Sequence, residues 1–153
     1  MTLALLVALT LMPVAQQTAR HDAHGQHKAA MDHRGDQAMG FDQAKIRHTF
    51  TTTERGGTIE VIAKDPKDST TITQIRKHLM EIARLFKDGD FSKPIFIHAQ
   101  NPPGADIMKA RRADITYRFD ELPAGGRVTI TSTSDDAVAA THAFLRFQRE
   151  QHK

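Results

Sequence analysis

The chain has 153 residues, with 21 Lys and Arg against 18 Asp and Glu, nine His and no Cys. That length fits one domain, and the absence of cysteine excludes disulfides, thiolate zinc sites, iron–sulfur clusters and cysteine catalysis. A net charge of +3 spread over a domain leaves no footprint for nucleic acid, and a core with no Trp must be aliphatic with some Phe.

Leu3 to Val14 is an uncharged apolar run, too short for a comfortable membrane span. Residues 1–19 therefore read as a secretory signal ending near Ala15 or Ala19, with an uncleaved anchor as the alternative and the one tie to a membrane. The expected location is periplasmic or secreted. Residues 20–40 are rich in Gln, His, Ala, Asp and Gly and poor in large apolar groups. They read as a flexible tail, because so little apolar surface cannot offset the entropy of ordering.

From Phe41 to Lys153 the pattern is that of a single domain. Ile46, His48 and Phe50 alternate as in a half-buried strand. Arg55-Gly56-Gly57 makes a turn, and Thr58 to Ala63 is a second β-rich run. Asp68 and Ser69 start a helix with an apolar stripe at Ile72, Ile75, Leu79, Ile82 and Phe86, ended by Asp88-Gly89-Asp90. Ile95 to His98 reads as a short strand. Asn101-Pro102-Pro103-Gly104 breaks the chain, and Asp106 to Arg111 makes a helical turn or two. Ile115, Tyr117 and Phe119 alternate again, Gly125-Gly126 turn into the strand Val128–Thr131, and Ser134 caps a helix over about 137–151.

The succession strand, turn, strand, helix thus occurs twice, from near Lys45 and from near Asp114, with the connection to the first helix five residues longer. The expected fold is α+β: an antiparallel sheet with two helices on one face. A dimer that completes its sheet across an edge strand is the alternative.

Histidine carries the chemical signal. His21, His24 and His27 are spaced by three and followed by Met31, Asp32, His33 and Met39. Imidazole suits copper, zinc and nickel, and thioether suits copper(I). In the folded part His48, His78, His98 and His142 fall on apolar faces, where a buried imidazole needs a partner. A pair or trio of them, with Met108 nearby in sequence, could bind copper, zinc or haem. The other candidates are weaker. Asp88, Asp90 and Asp106 could do acid–base work but read as turn residues. Lys109, Arg111 and Arg112 could hold an anion. No Gly-rich loop opens a helix and no nucleophile motif is present.

Met39-Gly40-Phe41-Asp42-Gln43, Ile75-Arg76-x-His78-Leu79, Ile97-His98 with Pro103-Gly104, and His142-x-Phe144-Leu145-Arg146-Phe147-Gln148 resemble a family of small exported bacterial proteins, from about Arg34 onward. Some members carry an aspartate carbamoyltransferase label, but the chain is too short and lacks a phosphate-cradling loop for that reaction. The resemblance implies that His78, His98 and His142 belong to family motifs; Arg47 stands where a second His would flank His48. The reading is an exported transition-metal binder, copper first and zinc second, using His21, His24, His27, Met31, His33, His48, His78, His98, Met108 and His142. The alternative is a non-metal module acting as a homodimer, and catalysis is the weaker case.

Overall fold

The structure, a computed structural model, describes residues 14–152; the side chains of residues 14–24 and of His27 lie outside the described set. Most of the expected signal segment 1–19 therefore falls outside it. Among the described residues no helix is long and apolar enough to cross a membrane.

Helix α1 spans Val14–Met39, and a single 3₁₀ turn, Gln43–Lys45, leads into strand β1 (Ile46–Thr53). A hairpin joins β1 to β2 (Gly56–Ala63), and α2 (Ser69–Lys87) follows. Two short helices, α3 (Ser92–His98) and α4 (Ala105–Ala110), precede the second hairpin, β3 (Ile115–Leu122) and β4 (Gly125–Ser132), and α5 (Asp135–Gln151) ends the fold. The four strands form one antiparallel sheet in the order β1-β2-β4-β3. This is the α+β architecture that the alternation of periods implies.

The two hairpins share one register when 69 is added to each number of the first. Ile46↔Ala63 becomes Ile115↔Ser132, and Thr53↔Gly56 becomes Leu122↔Gly125. Ile59 and Val128, which correspond under the same offset, face each other at the centre of the sheet. The correspondence extends upstream, where Met39 and Met108 are both buried. It breaks after the sheet. The helix caps Asp68 and Ser134 differ by 134 − 68 = 66, so the first connection is three residues longer, not five.

Each helix packs mainly on the other unit's hairpin, and the Gly-Gly pairs explain how. A Cβ at Gly57 would run into Leu145 of α5, and one at Gly126 would meet Leu79 of α2 and Phe119. Glycine there lets both helices settle on one face of the sheet. Both caps are satisfied by side chains: the Asp68 carboxylate accepts from the Thr71 N–H at 3.0 Å, and Ser134 accepts from the Ala137 N–H.

Two segments depart from expectation. Residues 20–39 are helical, not a loose tail: Met31 is 1% exposed and Met39 is buried. These two methionines lie eight residues apart on one helix stripe, so two large side chains suffice to anchor the helix. Arg34 Nε donates to the Ile97 carbonyl at 2.8 Å, and Lys93 Nζ donates to the Ala38 carbonyl at 3.1 Å, which ties α1 to α3. The second departure is Ile95–His98, a helix end and not a strand. The Asp90 carboxylate accepts from the Ser92 N–H at 2.8 Å and Ile95 N–H donates to the Phe91 carbonyl, which nucleates a turn around Pro94. Phe91 is buried against Phe86 and Phe144.

Gly104 opens α4 at φ +87°, and a Cβ there would meet the Ala140 carbonyl of α5. Left-handed backbone alone costs a non-glycine residue about 1–2 kcal/mol. Gly104→Ala is expected to lower stability by about 2 kcal/mol or more once the collision is added, read as a drop in Tm; an unchanged Tm would mean that α4 and α5 can separate freely.

Candidate functional site

Four imidazoles meet in one place. His48 sits on the inner face of β1, opposite Val61. His78 lies on the buried stripe of α2 between Ile75 and Ile82, and His98 ends α3 just before Ala99, which turns the chain at φ +53°. His152 follows α5, its N–H donating to the Gln148 carbonyl at 3.1 Å. Together with Met39, Lys93 and Gln148 they line a cavity of about 60 Å³ whose remaining walls are apolar, among them Phe50, Ile82, Phe86, Ile97 and Phe144.

The rings touch in sequence. His48 and His152 have centroids 4.7 Å apart, His152 and His98 5.4 Å, and His48 stacks on Phe50 at 5.8 Å. His98 packs edge-on against Phe147, and His78 edge-on against Phe41. His98, 1% exposed, holds Gln148 through Nε2···Oε1 at 2.8 Å. An amide oxygen only accepts, so His98 donates from Nε2. Burial keeps His48, His78 and His152 neutral. Desolvation pulls His48 down to about 4. His78 falls to about 3 by desolvation, helped by Lys93 and His48. His152 also falls to about 3, by desolvation and then by its proximity to His48, His98 and Lys28. Neutral imidazole is the form that ligates a metal.

His48 and His152 also border a second, polar cleft of about 560 Å³ between α1, the 3₁₀ turn and β1. Lys28, Asp32, Asp36, Asp42, Arg47 and Lys64 line it, so the two rings separate a charged vestibule from an apolar interior.

The remaining sequence candidates lie elsewhere. His142 is turned from the cavity and donates from Nε2 to the Thr53 carbonyl at 2.8 Å. Met108 is fully buried in the main core and does not line the cavity; Met39 does. Met31 is buried on the inner side of α1, away from the cavity lining, and His33 is exposed. The side chains of His21, His24 and His27 lie outside the described set. Asp88, Asp90 and Asp106 border a shallow surface hollow, with Asp90 occupied by the Ser92 cap. Arg111 is neutralised by Asp114 and Asp136.

Sequence reasoning missed His152, Gln148 and the site role of Met39. The signal existed: Thr141, Phe144, Gln148 and His152 recur at 3, 4 and 4 residues, which carries the buried stripe of α5 past the helix end. Among the described residues no three His, Asp or Glu already surround a point that fits an ion. Uptake of a metal would therefore require the rings to turn. The volume limits what else could enter: organic cofactors, haem included, need several hundred Å³, against about 60 Å³ here. No family model, curated protein or solved structure matches the chain.

Proposed function

We propose that this chain is a small exported protein that binds a transition metal, copper before zinc, at His48, His98 and His152. The observation that carries the reading is the convergence of four imidazoles and a thioether, from five separate chain segments, on one apolar cavity. A core built only for stability would fill those positions with aliphatic groups, because each buried imidazole must be desolvated. The spacing is compatible with shared coordination. Two imidazoles on one tetrahedral ion, with metal–nitrogen bonds of about 2.0–2.1 Å, place their ring centroids roughly 5 Å apart, against 4.7 and 5.4 Å for the two pairs here.

Copper is preferred over zinc on charge. The cavity lining offers imidazoles and a thioether and no carboxylate, and its one cation, Lys93, is paired with Glu81 at 3.3 Å. Burying an ion without counter-charge costs in proportion to its charge squared, which favours a monovalent soft cation, copper(I). His21, His24 and His27 would then act as a separate, looser capture site. The competing reading, a homodimeric interaction module, draws on the exposed Ile95, Phe96 and Ile107 of α3 and α4.

The test is competition titration of copper(I) and zinc against a chelator, in the full chain with His21, His24 and His27 replaced by Ala. Micromolar or tighter copper binding is expected to persist in that protein. His48→Ala with His152→Ala should then weaken it by about 100-fold or more, since two of three ligands are gone. Binding that disappears with the three N-terminal histidines would remove the metal from the folded domain.

A further inference from the structure

One edge of the sheet is bare. β1 and β3 are the outer strands. β1 has α1 and the 3₁₀ turn beside its start, and His152 lies against its His48 and Phe50. β3 is not covered in this way. The two-residue turn Pro123-Ala124 pairs Leu122 with Gly125, so the even-numbered residues of β3 bond to β4. Tyr117, Phe119 and Glu121 therefore turn their N–H and C=O groups outward, and among the described residues no other strand receives them. Natural edges are blunted by proline, lysine or a bulge. β3 has no Pro and no Lys, and its register runs unbroken from Ile115 to Leu122.

The side chains around this edge specify a partner. On the face away from the long helices, Glu60, Arg127 and Asp120 are neighbours across β2, β4 and β3. Arg127 holds Glu60 at 2.8 Å, so a row of alternating charge ends on Asp120 at the edge. Asp120 pairs with Arg118 of its own strand at 3.1 Å, and the two side chains stay 38% and 69% exposed. If an identical strand is laid antiparallel with Phe119 on a two-fold axis, residue 118 lies opposite residue 120 on both sides of the axis. The partner's Arg118 then extends the charged row beyond Asp120, and the contact occurs twice. The same register sets Phe119 against Phe119 and Tyr117 against Glu121, which are the residues with outward backbone groups.

The helix face adds apolar surface at the same level. Arg76 of α2 donates to the Leu122 carbonyl at 2.8 Å, and Phe86 meets Tyr117 at 6.0 Å, so α2 runs along β3. Met80 lies between them, one turn after Arg76 on the same side of the helix. It is 49% exposed, beside the half-buried Phe119.

We infer that β3 is a dimerisation edge, at which a second copy of this chain pairs antiparallel about Phe119 and joins two four-stranded sheets into one. The inference is independent of the metal reading and uses a surface other than α3 and α4. His48 lies on β1, the opposite edge, so both histidine cavities stay at the outer ends of the joined sheet.

The test is sedimentation of the full chain from micromolar to millimolar concentration. A pair of edge strands buries little area, so a reversible dimer of micromolar affinity is expected. Arg118→Asp and Asp120→Arg should each raise the dissociation constant about tenfold or more, because like charges then face each other twice. An equimolar mixture of the two variants should dimerise as well as the parent, since each supplies the charge that the other lacks. A parent that stays monomeric overturns the inference. A dimer that both variants preserve belongs to another surface, and a loss that mixing does not restore overturns the register. Should either variant not fold, amide exchange in the parent serves instead. The amides of Tyr117, Phe119 and Glu121 should become protected as concentration rises, and exchange independent of concentration overturns the assignment.

Discussion

Lowering the pH from 7 to 5 is expected to remove about 3–5 kcal/mol of the stability of the metal-free protein. In the unfolded chain His48, His78 and His152 titrate near 6.5. In the folded protein burial holds them down to about 4, 3 and 3. Below 6.5 the unfolded state therefore binds protons that the folded state refuses, and stability falls with pH; above 6.5 the contribution is fully present. Each fully shifted histidine loses roughly 2 kcal/mol by pH 5. The sum is reduced here because His48 and His152 keep edges on the polar cleft. Folding stabilities lie near 5–15 kcal/mol, so this loss takes the protein close to unfolding. Urea denaturation at several pH values measures it. The slope between pH 6 and 5 should approach three protons in the parent and two in His78→Leu. A flat profile across that range would mean that the imidazoles are hydrated in the native state.

In the proposed metal site depressed basicity and metal affinity would share a cause, since the desolvation that refuses protons would leave nitrogen lone pairs to a softer cation. A bound metal would therefore oppose the acid loss, and its own affinity would weaken as pH falls through the range where the unfolded chain charges.

The sheet and its two long helices were legible because their signals are local. Alternation at Ile46, His48 and Phe50, and the stripe from Ile72 to Phe86, each fix one face of one element. The antiparallel hairpins followed from the Gly-Gly pairs, although the turns themselves are Glu54-Arg55 and Pro123-Ala124 and the glycines already open β2 and β4. What sequence could not supply was whatever depended on two elements at once. Ile95–His98 has strand-like composition, yet the Asp90–Ser92 hydrogen bond and the burial of Phe91 in the Phe86–Phe144 cluster make it helical. Residues 20–40 look too polar to order, because Met31 and Met39 are separated by solvated positions and their shared stripe matters only once α3 is beside it. The site shows the same division. His48, His78 and His98 were visible as histidines on apolar faces. His142, equally placed in sequence, turns to Thr53, and only the folded arrangement reveals that His152 takes its place.

Phe144→Ala is the single substitution expected to cost most, about 3–5 kcal/mol. Phe144 is 1% exposed and meets Phe86 and Phe91 edge-to-face, with centroids 5.6 and 5.8 Å away, joining α5 to α2 and to the start of α3. It also forms a wall of the histidine cavity, so the truncation should enlarge that cavity as well as loosen the core. Met31→Ala is the informative companion. A buried methionine cut to alanine costs about 2–5 kcal/mol, and Met31, also 1% exposed, lies outside the cluster that holds Phe144. A residue on a solvated tail would cost nothing. Urea midpoints of the two variants separate these cases. Both midpoints should fall, with the m-value unchanged if the domain still unfolds as one unit. If Phe144→Ala lowers the midpoint and Met31→Ala leaves it in place, then α1 is not part of the cooperative domain. Met39 would then be a replaceable wall of the cavity, and the metal preference would rest on the imidazoles alone.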